Sequence, residues 1–99
     1  MRYIFHPEAL REYEETALYY GEVSAALAEA FIKSMEKGIE QILDFPGAWQ
    51  LVEEDVRRHL LHRFPFGIYY TIEEDYIMIV AVTHMSRNPG YWKNRLKAR

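Results

Sequence analysis

The sequence predicts a single α+β domain: a first strand, a helical hairpin and three further strands (β-α-α-β-β-β), followed by a short C-terminal tail. Apolar residues recur every three or four positions over residues 8–44, as on amphipathic helices, whereas two runs after residue 66 consist almost wholly of strand formers. Helices that precede consecutive strands pack on one face of a small twisted antiparallel sheet. A chain of 99 residues supports one hydrophobic core, so residues 1–99 are predicted to form one domain.

The first strand and the first helix meet at a proline. Residues 2–5 are aromatic or β-branched apart from Arg2, and Pro7 ends the strand because it lacks a backbone donor. Proline suits the first turn of a helix. The predicted apolar face of this helix consists of residues at spacings of three and four, Leu10, Tyr13, Ala17 and Tyr20. We expect Gly21 to interrupt the helix.

A second helix is predicted from Ser24, a suitable N-cap, to about Asp44. Phe45-Pro46-Gly47 ends it, because the residue before proline is disfavoured in a helix. Its buried stripe is predicted to contain Leu27, Phe31, Met35, Ile39 and Ile42 or Leu43. Two helices joined by so short a break form an antiparallel hairpin.

Three strands are predicted after the hairpin. Residues 56–64 are interpreted as a strand, although a short helix would fit their apolar spacing equally well. Residues 68–72 and 77–83 then form a β-hairpin, and the latter run is apolar on both faces, which indicates a central strand. We expect the sheet face opposite the helices to be partly open, and residues 91–99 to form a basic tail of one or two helical turns.

Charge is segregated along the chain. The net charge is −3, but residues 1–55 hold 12 acidic and 4 basic residues, whereas residues 56–99 hold 3 acidic and 8 basic residues. If the cations of the second half form one surface on the open sheet face, that surface attracts RNA, DNA or an acidic protein segment. The chain has no cysteine, no signal-peptide pattern and no membrane-length apolar run, so we expect a cytoplasmic protein without disulfides.

The candidate functional residues are histidines, arginines and tyrosines of the second half. RNA cleavage without a metal requires a proton acceptor, a cation beside the phosphate and a proton donor. The alternative is that the arginines solubilise a sheet face and bind an acidic partner, while His84 only caps a strand. His59 and His62 point to opposite faces of a regular strand, so we predict no metal and no cofactor. Trp49 and Trp92 are interpreted as packing residues, with base stacking left open for Trp92 because it lies beside Tyr91 in the basic tail.

Taken in order, several short motifs resemble the RelE/ParE superfamily of toxins from type II toxin–antitoxin systems, including those of the plasmid stabilisation type. The resemblance spans nearly the whole chain. Its points of likeness are His6-Pro7-Glu8-Ala9, Phe45-Pro46, Val56-Arg57-Arg58, Phe64-Pro65-Phe66-Gly67-Ile68-Tyr69-Tyr70, and the closing segment from His84 to Trp92.

The resemblance implies an antitoxin that wraps the domain, and one of two targets. RelE-like members cut messenger RNA on the ribosome, whereas ParE-like members poison DNA gyrase and are not nucleases. By position, Arg58 and Arg87 match basic sites of the nucleases, and Tyr91 falls near their tail tyrosine. The chain departs from them at Leu60 and Gly67, where they carry basic residues.

These considerations give three functional hypotheses. A metal-independent endoribonuclease toxin that inhibits translation ranks slightly ahead of a gyrase-binding toxin, and a non-toxic antitoxin-binding module is the third. For the nuclease, the predicted catalytic residues are Arg58, His84, Arg87 and Tyr91. The predicted RNA- or target-binding residues are Arg57, His62, Arg63, Lys93 and Arg95. Charge complementarity predicts an acidic antitoxin segment over the positive half. The sequence leaves a homodimer and a heterotetramer with antitoxin both open.

Overall fold

The computed structural model describes residues 1–98, and it confirms the predicted helical hairpin on one face of a small sheet. The elements are β1 (Arg2–Phe5), α1 (Pro7–Val23), α2 (Ala25–Asp44), β2 (Gln50–Glu53), β3 (Val56–Leu60), β4 (Phe66–Ile72), β5 (Tyr76–His84) and a 3-10 tail helix (Lys93–Ala98). The sheet order is β1-β5-β4-β3-β2. Two features differ from the expectation: β2 is an additional strand, and β1 runs parallel to β5, so the sheet is mixed.

The helical hairpin turns at Ser24, as predicted. The backbone N–H of Ser24 donates to the carbonyl of Tyr20 at 3.0 Å, and the hydroxyl of Ser24 accepts the N–H of Leu27 at 3.0 Å. Ser24 therefore ends α1 and begins α2. The expected break at Gly21 is wrong, since α1 continues to Val23. A glycine inside a helix costs only about 1 kcal/mol relative to alanine, which favourable packing overrides.

The main core lies between the hairpin and the sheet. The predicted stripe of α2 is confirmed, with Phe31, Met35, Ile39 and Ile42 buried. On α1 the buried residue is Ala9, whereas Leu10 is 40% exposed, so the predicted face of that helix was wrong by one residue at its start. Rings from α1, α2, and β4 with its preceding turn interlock in this core: Tyr13, Tyr20, Phe31, Phe64 and Phe66.

A second, smaller core covers the opposite face of the sheet, which the sequence predicted to be partly open. Trp92, at the start of the tail, is 2% exposed and lies with its ring centroid 5.5 Å from that of Tyr69 on β4. Buried Val56, Val80 and Ala81 complete this cluster. The role of Trp92 as a packing residue is therefore confirmed, and the tail closes the sheet face.

The loop before β2 is fixed by side chains of the sheet. The hydroxyl of Tyr70 donates to the carbonyl of Pro46 at 2.6 Å, and the guanidinium of Arg57 donates to the carbonyls of Gly47 at 3.2 Å and Trp49 at 2.7 Å. Burial raises the pKa of Tyr70 to about 12, so its hydroxyl is a stable donor. Among residues 1–98, no helix has the length and apolar character needed to cross a membrane.

Candidate functional site at the open edge of the sheet

The central strand β5 has an edge that no strand covers along its C-terminal half. Its neighbour β1 ends at Phe5, and the next residue, His6, donates its N–H to the carbonyl of Ile79 at 2.8 Å. From Val80 to His84, the described chain offers no partner strand on this side. Uncovered strand edges expose backbone donors and acceptors that must be satisfied or protected.

Side chains from α1 and the tail satisfy this edge. The carboxylate of Glu12 accepts the N–H of Val82 at 3.0 Å, and Nη1 of Arg95 donates to the carbonyl of Val80 at 2.9 Å. The two side chains also form a bidentate pair, with both N···O distances 2.9 Å. Only 12% of the Glu12 side chain and 11% of the Arg95 side chain are exposed. This ion pair therefore continues the hydrogen-bond ladder where β1 stops.

Two further tail residues join this pair. The hydroxyl of Tyr91 donates to Oε2 of Glu12 at 2.5 Å. The guanidinium carbon of Arg87 lies 3.9 Å from the ring centroid of Tyr91, and its Nη1 lies 3.9 Å from Oε2 of Glu12. We refer to Glu12, Arg87, Tyr91 and Arg95 as the Glu12 cluster. One carboxylate thus connects the first helix, the central strand and the tail.

The ionisation of the Glu12 cluster follows from its contacts. Burial alone would raise the pKa of Glu12, but hydrogen bonds from Arg95, Tyr91 and the N–H of Val82 outweigh it and lower the pKa below its ordinary value. Burial, followed by the hydrogen bond to Glu12, raises the pKa of Tyr91. At neutral pH, Glu12 is therefore an anion, and Tyr91 is a neutral phenol that donates a hydrogen bond to it.

The four predicted catalytic residues do not come together. Arg87 and Tyr91 lie in the Glu12 cluster, and His84 lines an adjacent cavity of about 280 Å³ with Arg87, although its Nδ1 accepts the N–H of Ser86 at 3.0 Å. Arg58 lies two strands away on β3, where it donates to Oε1 of Gln50 at 3.3 Å. The fold therefore separates Arg58 from the other three.

The predicted binding residues are also dispersed. Arg57 is held by loop carbonyls, Lys93 pairs with Glu53 at 2.7 Å, and Arg95 pairs with Glu12. His62 and Arg63 lie beside α2. The expectation of one basic surface on the sheet face away from the helices is therefore wrong. Its physical reason is that acidic residues of the first half neutralise several of the cations within the fold.

Glu12 is the residue that the sequence interpretation missed. It follows buried Ala9 by three residues and precedes half-buried Tyr13, so it lies on the inward side of α1. A carboxylate on a buried helix face requires a charged or hydrogen-bonding partner, and this was the available signal. Its partner Arg95 is 83 residues further along the chain. Among residues 1–98, no three histidine or carboxylate side chains are grouped to hold a metal ion.

Comparison with known proteins identifies the class of this fold. Residues 3–89 match the family model described as ParE toxin of type II toxin-antitoxin system, parDE. A chain of the chromosomal ParDE toxin–antitoxin system from P. aeruginosa has the same fold, with a TM-score of 0.61, 18% sequence identity and coverage of 85% of this chain and 95% of that one. No curated protein matches the sequence.

The class is therefore that of the toxins of type II toxin–antitoxin systems. Within it, the chain belongs to the ParE toxin family, since the family model covers most of its length. This confirms the resemblance to the RelE/ParE superfamily, and membership in a toxin–antitoxin system implies an antitoxin partner.

Proposed function

We propose that this toxin acts by binding and inhibiting DNA gyrase and that it does not cleave messenger RNA. From the sequence and its family resemblance, the ribonuclease ranks slightly first. The Glu12 cluster is the observation that reverses this order. Within it, the groups that a nuclease would need are already occupied by structural contacts. The family resemblance is consistent with placing gyrase inhibition first, since ParE-like members poison gyrase.

The chemistry of RNA cleavage supports this choice. A general acid or base must be within hydrogen-bond reach of its substrate, and a cation must lie beside the phosphate. The hydroxyl of Tyr91 and the guanidinium of Arg95 are instead bound to Glu12. Arg58 lies two strands from β5 and is bonded to Gln50. A binding toxin needs none of these groups to react; it needs only a rigid surface.

We expect the purified toxin to inhibit supercoiling of relaxed plasmid by gyrase at a modest molar excess. Prior addition of the cognate antitoxin should restore supercoiling, which controls for contaminating nucleases. A protein that leaves gyrase unimpaired at high excess, while arresting growth when expressed, is incompatible with the proposal.

For the antitoxin, the proposed docking surface is an apolar groove on the outer side of the hairpin. The groove measures about 1070 Å³ and runs between α1 and α2. Leu18 is 70% exposed and Ile32 is 37% exposed within it. Apolar side chains exposed in a groove favour an amphipathic helix as the ligand. This site lies away from the positive half over which charge complementarity had predicted an antitoxin segment.

The substitution Leu18→Asp is expected to weaken antitoxin binding about tenfold or more, because burial of a leucine contributes about 1.5–3 kcal/mol and the carboxylate adds a desolvation cost. Isothermal titration with purified antitoxin measures the change. Leu51→Asp on the edge strand β2 is the matched control, since Leu51 is 51% exposed and lies outside the groove. Equal affinities of the two variants would rule out the groove as the docking surface.

A further inference from the structure

We propose that a basic trough between α2 and the end of β3 docks an acidic protein segment that carries a bulky apolar side chain. This site is distinct from the Glu12 cluster and from the hairpin groove, and the proposal does not depend on the identity of the target. We define the basic trough by its polar residues Ser34, Lys37, Gln41, His62 and Arg63.

The shape of the basic trough suits a short peptide segment. It consists of two adjoining concavities of about 470 Å³ and 520 Å³ that share Ser34, Lys37 and His62. Its inner end is lined by Gly38 and Leu61, together with the rings of Trp49 and His59. Such a volume accommodates a large apolar side chain, with polar groups at the rim to fix its orientation.

Within the described part of the chain, the basic side chains of the trough have no ion pairs, whereas Arg87, Lys93 and Arg95 of the second half each pair with a carboxylate. Lys37, His62 and Arg63 are exposed, and among residues 1–98 none of them has an ion pair. Lys33, on the same side, is neutralised by Glu29 at 3.0 Å. Lys37 and Arg63 therefore place uncompensated positive charge at the trough, and a carboxylate-bearing ligand gains from it.

Two buried nitrogens beside the inner end lack hydrogen-bond partners within the described chain. They are Nε1 of Trp49 and Nδ1 of His59, whose rings meet edge to face with centroids 4.3 Å apart. A buried polar atom without a partner costs folding free energy, so native proteins rarely retain one without a reason. His59 is 5% exposed, whereas Trp49 is only partly buried. Both rings line the inner end of the trough, where a polar atom of a ligand would supply the missing partner.

The same features favour a protein segment over a nucleic acid. Sequence-tolerant binding of single strands uses exposed aromatic faces and a continuous cationic track. Here the ring of Trp49 is held against His59, and the track is limited to Lys37, Arg63 and the imidazole of His62. So short a track matches a short acidic segment and is not the continuous cationic surface that a nucleic-acid backbone follows.

The test is a nuclear magnetic resonance titration of the ¹⁵N-labelled full chain, followed through its two indole N–H signals. Trp49 reports the basic trough, and Trp92 on the opposite sheet face is the internal control. The probe is a random copolymer of glutamate and tyrosine, which combines carboxylates with bulky apolar rings. We expect the Trp49 signal to shift with increasing probe and the shift to decrease as salt rises, while Trp92 stays unchanged.

Charge reversal identifies the residues responsible. The variant Lys37→Glu/His62→Glu/Arg63→Glu is expected to bind the copolymer about tenfold or more weakly. The variant Arg2→Glu/Arg11→Glu changes two exposed cations elsewhere and should retain the wild-type affinity. An unshifted Trp92 signal in both variants shows that they fold. Polyuridylate serves as the nucleic-acid probe. The proposal is overturned if polyuridylate shifts the Trp49 signal and the copolymer does not, or if neither polymer shifts it. Equal weakening of copolymer binding by both variants would overturn it as well.

Discussion

Replacement of Glu12 by alanine is expected to lower the free energy of unfolding by about 3 kcal/mol, as when one partner of a buried ion pair is removed. The substitution leaves the guanidinium of Arg95 uncompensated and the N–H of Val82 without its acceptor. It also frees the hydroxyl of Tyr91. Urea denaturation followed by circular dichroism measures the change.

The effect of this substitution should depend on pH. Because the pKa of Glu12 is lowered in the folded state, its stabilising contribution is complete above the ordinary value of 4.5 and is lost as the pH falls from there through the folded value. The difference in unfolding free energy between wild type and Glu12→Ala should therefore decrease below about pH 4.5. A difference that grows on acidification would show that Glu12 is not the stabilised anion.

Controls separate this contribution from general effects of charge removal. Glu29→Ala breaks the exposed pair with Lys33 and should change stability by less than about 0.5 kcal/mol. The double variant Glu12→Ala/Arg95→Ala should lose less stability than the sum of the two single variants, because the orphaned charge is removed with its partner. If the stability loss of the double variant equals the sum of the two single losses, Glu12 and Arg95 do not interact directly across the sheet edge.

Replacement of Trp92 by alanine is expected to lower the free energy of unfolding by about 3–5 kcal/mol, the range for removal of a buried aromatic side chain. Trp92 is 2% exposed and fills the core on the sheet face opposite the helices. Its loss uncovers Tyr69 and the buried face of β5. Thermal unfolding monitored by circular dichroism measures the shift in Tm.

The matched control is Trp92→Phe, which retains a large apolar ring and should lose less than half as much stability. Fluorescence of the remaining Trp49 gives an independent unfolding signal in both variants. If Trp92→Ala unfolds at the wild-type midpoint, the tail does not stabilise the sheet, and the second core is unimportant for folding.

The helices and the order of elements were predictable from the sequence because their signals are local. Ser24 caps α2 through an N–H three residues away, and the stripe of α2 follows from helical periodicity. β2 was missed because Gln50–Glu53 is only four residues long and lacks clear alternation of polar and apolar side chains. The parallel pairing of β1 with β5 joins residues more than 70 positions apart, which local patterns do not reveal.

The candidate site was less predictable than the fold because its contacts are long-range and electrostatic. Residue types marked Arg87 and Tyr91 as candidate site residues, and the structure places the guanidinium of Arg87 over the ring of Tyr91. They did not indicate that Glu12 holds both Tyr91 and Arg95. The charge segregation of the sequence was interpreted as a surface for an external partner, whereas the acidic and basic halves also neutralise each other within the molecule.

We infer that the tail residues serve the fold, and on that basis we propose that the toxin does not cleave RNA. Mapping of transcript 5′ ends in cells arrested by induced wild-type toxin tests it most directly. We expect no new ends within translated messages beyond those of uninduced cells. The contradicting result is a set of new ends in a fixed phase with the codons. These ends would have to disappear when a folded Tyr91→Phe or Arg87→Ala variant is expressed instead.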